Sequence, residues 1–441
     1  MMPSLLVRPF APVLGAGHQV PLVQGGLVRY VNLDYAASSP ALAAVASQVN
    51  ELLPLYASVH RGAGYASRAC TAAYESARRT VAAFTGCDAD DDEYCVIFTR
   101  NTTDAFNLLA SAVPGPVVHL DIEHHANLLP WRGWEEGRGQ RARARVVTAR
   151  ATVTGTLAAV EAELAREPAA LLSVTGASNV TGECLPLAEL AALAHRHGAR
   201  LAVDGAQLVP HRRVSMRDAG IDYLGFSGHK MYAPFGAGVL AGRRDWLSAA
   251  PPYLAGGGAV RQVTLERTRW ADAPARHEAG TPNLVGAVAL AAACRYLAAF
   301  PGDAIRSHEA VLLAQLDDAL AEAGATVHRL WPDCADRVPV VTFSIDGLPA
   351  AFISAYLSAE HGIGVRDGKF CAHPLLGRLG AADGAVRVSL GLGSESADIE
   401  RLVAALRELR ANGATWRYDA DYQPVHDARE MPAWAGMAVS L

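Results

Sequence analysis

Three features of the sequence predict an α/β fold built on a mainly parallel sheet. From Val31 to about Phe300, short apolar runs alternate with Ala/Leu-rich stretches of helical length. The runs are apolar on both faces, the pattern of strands covered by helices on either side. The chain has 441 residues, 51% hydrophobic and 19% charged, enough for a large core and far too apolar for disorder.

In chain order the candidate strands of this region are Cys95–Thr99, Val117–Leu120, Leu171–Val174, Leu201–Val203, Tyr223–Phe226 and Gly238–Leu240. The candidate helices are Thr71–Phe84, Asp104–Ala112, Thr156–Arg166 and Leu187–His197, which makes the unit a series of βαβ crossovers. The texture changes at about Gly302. A helix (Ala304–Ala323), a strand (Val338–Ile345), a helix (Ala350–His361), a strand (Val386–Leu390) and a last helix (Ser396–Ala411) form a smaller α/β unit. From Asn412 onward Pro, Trp and Tyr occur without period, as in a tail packed on the surface or on a neighbouring subunit. The expected division is therefore an N-terminal segment 1–30, a large domain 31–300, a small domain 301–411 and a tail 412–441.

Composition narrows the function. Lys and Arg number 39 against 44 Asp and Glu, a net charge of −5, so no basic surface for nucleic acid or anionic membrane is expected. No apolar stretch reaches the ~18 residues of a membrane span. The apolar stretch Met1–Val23 lacks a basic leader, so the cytoplasm is the expected compartment. Seven cysteines, with no CxxC pair, argue against a disulfide framework and a structural zinc site. Most are expected to be buried small hydrophobes.

The chemistry lies in two short stretches. Asp204, in Leu201-Ala-Val-Asp-Gly-Ala-Gln207, ends a buried strand, where α/β sheets place their ligands. One crossover later Lys230 follows Ser227-Gly-His at the end of the next strand. Pyridoxal 5'-phosphate chemistry requires this pair, a lysine for the Schiff base and a carboxylate that keeps the pyridine nitrogen protonated. Thr102 and Thr103 open a helix, where free N–H groups and the dipole favour a phosphate, and Ser227 and His229 add donors. Taken singly, a strand-end Asp is more often a helix cap and a lone Lys is usually solvated. Their order and shared strand-end placement favour the cofactor.

At these residues the sequence resembles the class V aminotransferases among fold-type I pyridoxal-phosphate enzymes, in particular the group II cysteine desulfurases and selenocysteine lyases. The resemblance runs from Asn32-Leu-Asp-Tyr-Ala-Ala to about Leu409. It is carried by His60-Arg-Gly, Asn101-Thr-Thr-Asp, Glu123-His-His-Ala-Asn, Ser178-Asn-Val-Thr-Gly, Val203-Asp-Gly-Ala-Gln, Ser227-Gly-His-Lys and His277-Glu-Ala-Gly-Thr-Pro-Asn. It implies a seven-stranded sheet in the large domain, a small C-terminal domain joined by the N-terminal segment, and an active site between them at a dimer interface. It further implies that Lys230 forms the Schiff base and moves protons, that Asp204 binds the pyridine nitrogen, and that His124 stacks on the ring. Asn179 and Gln207 would lie at the ring's 3-oxygen; Thr102, Thr103, Ser227 and His229 would hold the phosphate. Thr281 would reach the phosphate of the partner subunit in a homodimer with shared sites. Arg387 would clamp the α-carboxylate of a small amino acid substrate as a bidentate pair.

Within Gly364-Val-Arg-Asp-Gly-Lys-Phe-Cys-Ala-His-Pro374, Cys371 aligns with the family's sulfur-accepting cysteine. As a thiolate it would take sulfur or selenium from cysteine or selenocysteine, leave alanine, and pass sulfur to an acceptor, in some cases a protein. Lys369 places a cation two residues away. Here Lys369-Phe370 stand where the family usually carries two histidines. The same residues up to the cofactor also fit a class V aminotransferase, epimerase or C–S lyase, with Cys371 kept only for packing. A third reading, a silent sulfur-transfer scaffold, is disfavoured by retention of both Lys230 and Asp204. Elsewhere, Gly236-Ala-Gly238 reads as a turn into a strand, and His195-Arg-His197 as charge at a helix end. The stretch Gly256 to Arg269 reads equally as a mobile substrate loop or a plain connector, with Trp270 and Arg276 at the entrance or an interface.

Overall fold

The structure is a computed structural model that describes residues 6–87, 92–132 and 144–435. The first five residues of the N-terminal segment and the last six of the tail lie outside the described residues. The seven strands of the central sheet are β1 (Tyr94–Thr99), β2 (Val117–Leu120), β3 (Ala144–Val147), β4 (Leu171–Thr175), β5 (Arg200–Asp204), β6 (Tyr223–Ser227) and β7 (Gly238–Arg243). Their spatial order is β1-β7-β6-β5-β4-β2-β3, and β7 alone runs antiparallel to its neighbours. Six match the predicted strands. The seventh, the Ala144-Arg-Val-Val147 edge strand, was not predicted, because arginine interrupts so short an apolar run.

β4 and β6 are buried from end to end and β5 from Leu201 onward, with Leu201, Ala202 and Val203 fully inaccessible. Each such Leu or Val contributes about 1.5–3 kcal/mol, which makes this sheet a rigid platform. Helices Thr102–Ala112, Val153–Arg166, Leu187–Arg196 and Leu284–Ala298 cover it. Leu284–Ala298 was missed by the sequence reading. Nearly every position of that helix is buried, so it carries no polar face to mark its period.

A second core lies around β8 (Thr326–Val327), β9 (Val340–Ser344), β10 (Arg366–Gly368) and β11 (Ala385–Ser389), an antiparallel sheet in the order β8-β9-β11-β10. Helices Ala304–Glu322, Ala350–His361 and Ser396–Asn412 pack on it, within one or two residues of their predicted limits. Val31 and Leu33 belong to this core, and Val31–Asn32 pairs with Ile363–Gly364. The tail is tied down by Glu360, whose carboxylate accepts from Thr415 N, Trp416 N and the Tyr418 hydroxyl. The stretch read as a substrate loop or connector forms a hairpin, Val260–Val263 with Thr268–Trp270, whose tip residue Leu265 is fully exposed. Arg276 donates to the carbonyls of Ala250 and Ala271. No helix among the described residues is long and apolar enough to cross a membrane.

Candidate active site

Beyond the C-terminal ends of the parallel strands a cavity of about 230 Å³ opens. Its walls include Thr102, Thr103, His124, Asn179, Asp204, Gln207, Ser227, His229, Lys230, Cys371 and Arg387. Eleven side chains named from sequence thus meet in one place. Thr281 does not; it is exposed, in a loop outside this cavity.

Each is set by the element that carries it. β6 ends at Ser227, and a single turn, Gly228–Lys230, aims the lysine inward. Gly228 N–H donates to Ala237 O at 2.7 Å, and a Cβ there would lie 2.7 Å from that same oxygen, so only glycine permits the turn. Ser39 Oγ then holds the Lys230 carbonyl at 3.0 Å. Burial lowers the proton affinity of Lys230, as do Arg387 and Arg366, while Asp204 and Asp34 partly offset them; the result is a pKa of about 8. Asp204, at the end of β5, is buried and accepts from Ala206 N–H at 3.0 Å. Burial raises its carboxyl above the ordinary range.

His124 follows β2 and accepts the Ala126 N–H at Nδ1 (3.0 Å), which leaves its proton on Nε2. Burial, with Lys230, His125 and Arg387 nearby, depresses its pKa to about 3, so the ring is neutral. Its neighbours in the motif were quoted without a role. Glu123 is wholly buried, accepting from Asn127 Nδ2 at 2.7 Å and Thr175 N at 3.1 Å. Asn127 Oδ1 in turn accepts from Ser173 Oγ and Trp131 Nε1. This network fixes the turn that carries His124. The spacing Asn127 to Trp131, four residues on a helix, was the available signal.

At the start of helix Thr102–Ala112, Asn101 Oδ1 caps Asp104 N–H at 3.0 Å. Thr102 N–H donates to Ser227 Oγ at 2.8 Å, so the helix terminus and the lysine turn form one polar cradle. Across the cavity, buried Arg387 donates from Nη2 to Asp34 Oδ1 (2.9 Å) and from Nη1 to Asn179 O (3.1 Å). The Phe370 ring covers it, with the guanidinium carbon 5.1 Å from the ring centre. Asp34, Arg366 and Phe370 were not named as site residues. Asp34 and Arg366 stand in quoted motifs, but only the fold brings them beside Arg387.

Cys371 is exposed on the cavity wall, whereas the other six cysteines are buried. Phe370 and Cys371 adopt left-handed backbone, φ 50° and 54°. Three hydrogen bonds hold them there: Asn179 Nδ2 to Phe370 O (2.8 Å), His125 N to Cys371 O (2.9 Å), and Ala372 N to Lys369 O (2.9 Å). Within this chain Cys371 is therefore not packed in a core.

These features fit pyridoxal 5'-phosphate. A buried carboxylate with one amide partner awaits a protonated nitrogen, a lysine of lowered proton affinity stands beside it, and a helix terminus with hydroxyls awaits a dianion. The comparisons agree. The family model Aminotransferase class-V matches residues 31–402. A cysteine desulfurase of Dickeya dadantii is 37% identical over 88% of this chain and 93% of its own. Among solved structures, the apo cysteine desulfurase of Thermococcus onnurineus superposes with a TM-score of 0.78 at 30% identity, covering 86% of this chain and 94% of that one. The cysteine desulfurase CsdA of Escherichia coli does so with a TM-score of 0.75 at 32% identity and the same coverage. Site and comparisons together place the chain: it belongs to the class-V aminotransferase family, alongside the pyridoxal-phosphate-dependent cysteine desulfurases.

Proposed function

We propose that the enzyme removes sulfur from L-cysteine, or selenium from selenocysteine, in the cytoplasm, leaving alanine and, on Cys371, a persulfide or its selenium counterpart. The observation that carries this reading is the exposed thiol of Cys371 on the same cavity wall as Lys230 and Arg387. Pyridoxal 5'-phosphate, when bound, supplies an electron sink that labilises the bonds at the substrate's Cα and Cβ.

The chain's own groups do the rest. Asp204 would hold the proton on the pyridine nitrogen, and His124, neutral, would offer its ring face. Thr102, Thr103, Ser227 and His229 would hold the phosphate, and Asn179 and Gln207 would serve the 3-oxygen side. Arg387 clamps the α-carboxylate. With a pKa of about 8, Lys230 is in part unprotonated near neutrality, so its amine takes and returns the substrate's Cα proton. The Cys371 thiolate attacks substrate sulfur: the Sγ–S bond forms, the Cβ–S bond breaks with its electrons left on carbon, and a proton completes alanine.

We also propose a homodimer in which Thr281 reaches the phosphate of the partner's site. We further propose two domains, 31–300 and 301–411, with the N-terminal segment on the latter and the strand Val31–Asn32, with Leu33, packed in the small-domain core.

The test adds L-cysteine to the holoenzyme and follows absorbance, alanine and persulfide. Alanine must form, and Cys371→Ser must reduce turnover at least a hundred-fold while the absorbance change on adding cysteine persists. A Cys371→Ser enzyme that still turns over sinks the desulfurase reading, and a panel of other amino acids then identifies the lyase, epimerase or transaminase substrate.

A further inference from the structure

The nucleophile is bordered by positive charge that has no ion-pair partner among the described residues. Arg366 on β10 stands directly opposite Arg387 on β11 in the strand register, and both line the cavity. Like charges placed so are mutually destabilising. Arg387 is compensated by Asp34, but Arg366 is exposed and has no hydrogen-bond or ion-pair partner among the described residues. Lys369, also exposed, likewise has none. Asp367, next to Arg366 in the strand, alternates to the opposite face from it and does not line the cavity. The three hydrogen bonds above pin the backbone of Phe370 and Cys371 on the cavity wall that Arg366 also lines, so whatever takes the sulfur approaches past this rim.

We infer that Arg366 and Lys369 form an anion-binding rim that selects the sulfur acceptor, a thiol flanked by carboxylates. The inference rests on the desulfurase reading. In the transfer, the acceptor thiolate attacks the terminal sulfur of the Cys371 persulfide. The new S–S bond forms on the acceptor, the bond to Sγ breaks, and Cys371 leaves as its thiolate, with no outside oxidant or reductant.

The experiment forms the persulfide on holoenzyme with L-cysteine, confirms one added sulfur by intact mass, removes the substrate and times discharge to several thiols. Mercaptosuccinate represents a free anionic acceptor and a glutamate-rich cysteine peptide a protein-borne one; 2-mercaptoethanol and cysteamine are the neutral and cationic controls. Comparing variants cancels each thiol's intrinsic reactivity. Lys369→Glu is expected to lower the preference for anionic over neutral thiol roughly ten-fold, as is added salt, and Lys369→Arg to retain it. The rate of persulfide formation is expected to be unchanged in both variants. The faster anionic thiol identifies the source of the acceptor. A persulfide that discharges with the same selectivity in wild type and Lys369→Glu overturns the rim alone. If no persulfide forms with cysteine, the desulfurase reading falls and the rim with it.

Discussion

Arg387 shows how one residue's surroundings convert a common side chain into a specific one. Its fork is held by Asp34 and by the Asn179 carbonyl, and Phe370 shields it from water. Lysine at this position keeps the charge but cannot make both contacts. Arg387→Lys should therefore raise KM for cysteine by about ten- to a hundred-fold with a smaller change in kcat; an equal fall in kcat with KM untouched would contradict a carboxylate clamp. His124 gives a pH signature. Its pKa is about 3 folded against an ordinary 6.5, so between those values only the unfolded chain takes the proton. Stability is thus complete above pH 6.5 and is lost as pH falls through that window. The loss attributable to His124 is at most about 2 kcal/mol between pH 6.5 and 5. Urea midpoints of cofactor-free wild type and His124→Asn should converge toward acid, and parallel pH curves would refute this.

Among the elements, the loop after β4 is the joint that matters most. It carries Asn179, and its later residue Glu183 is wholly buried. The Glu183 carboxylate accepts from Arg329 Nε, Leu330 N and Trp331 N, each at 3.0 Å, tying this loop to the segment that leads into β9. Removing it leaves buried donors and a cation unpaired. Glu183→Ala should cost about 3–5 kcal/mol, measured by urea denaturation, and should raise KM through Asn179. Glu183→Gln, which keeps an acceptor, should lose less. Equal stability of the alanine variant and wild type would show the network to be incidental.

For the whole molecule, the proposed homodimer is what gives the exposed Thr281 its role. The purified protein should sediment at twice 46.4 kDa. Co-expression should give a sharper test. Alone, Lys230→Ala should be inactive and Thr281→Val impaired. A mixed dimer of the two contains one site with both native residues and should recover up to half of the wild-type activity. Failure to recover any would place Thr281 outside the partner's site.

Much of this enzyme was legible in its sequence. Buried parallel strands announce themselves as doubly apolar runs, and strand ends are where the chain leaves the sheet, so Asp204 and Lys230 could be placed at one sheet edge from local pattern alone. Short motifs around glycine and helix starts, such as Ser227-Gly228-His229-Lys230 and Asn101-Thr102-Thr103-Asp104, carry their own geometry and survive translation into structure. Three things required the tertiary fold. An edge strand interrupted by arginine and a helix buried all round have no period to read. The partners of Arg387, namely Asp34, Phe370 and the Asn179 carbonyl, come from positions 34, 370 and 179, and no local rule joins residues so far apart. The exposure of Cys371 and the uncompensated charge of Arg366 depend on what does not pack against them, and a linear sequence states neighbours along the chain but not vacancies around a side chain.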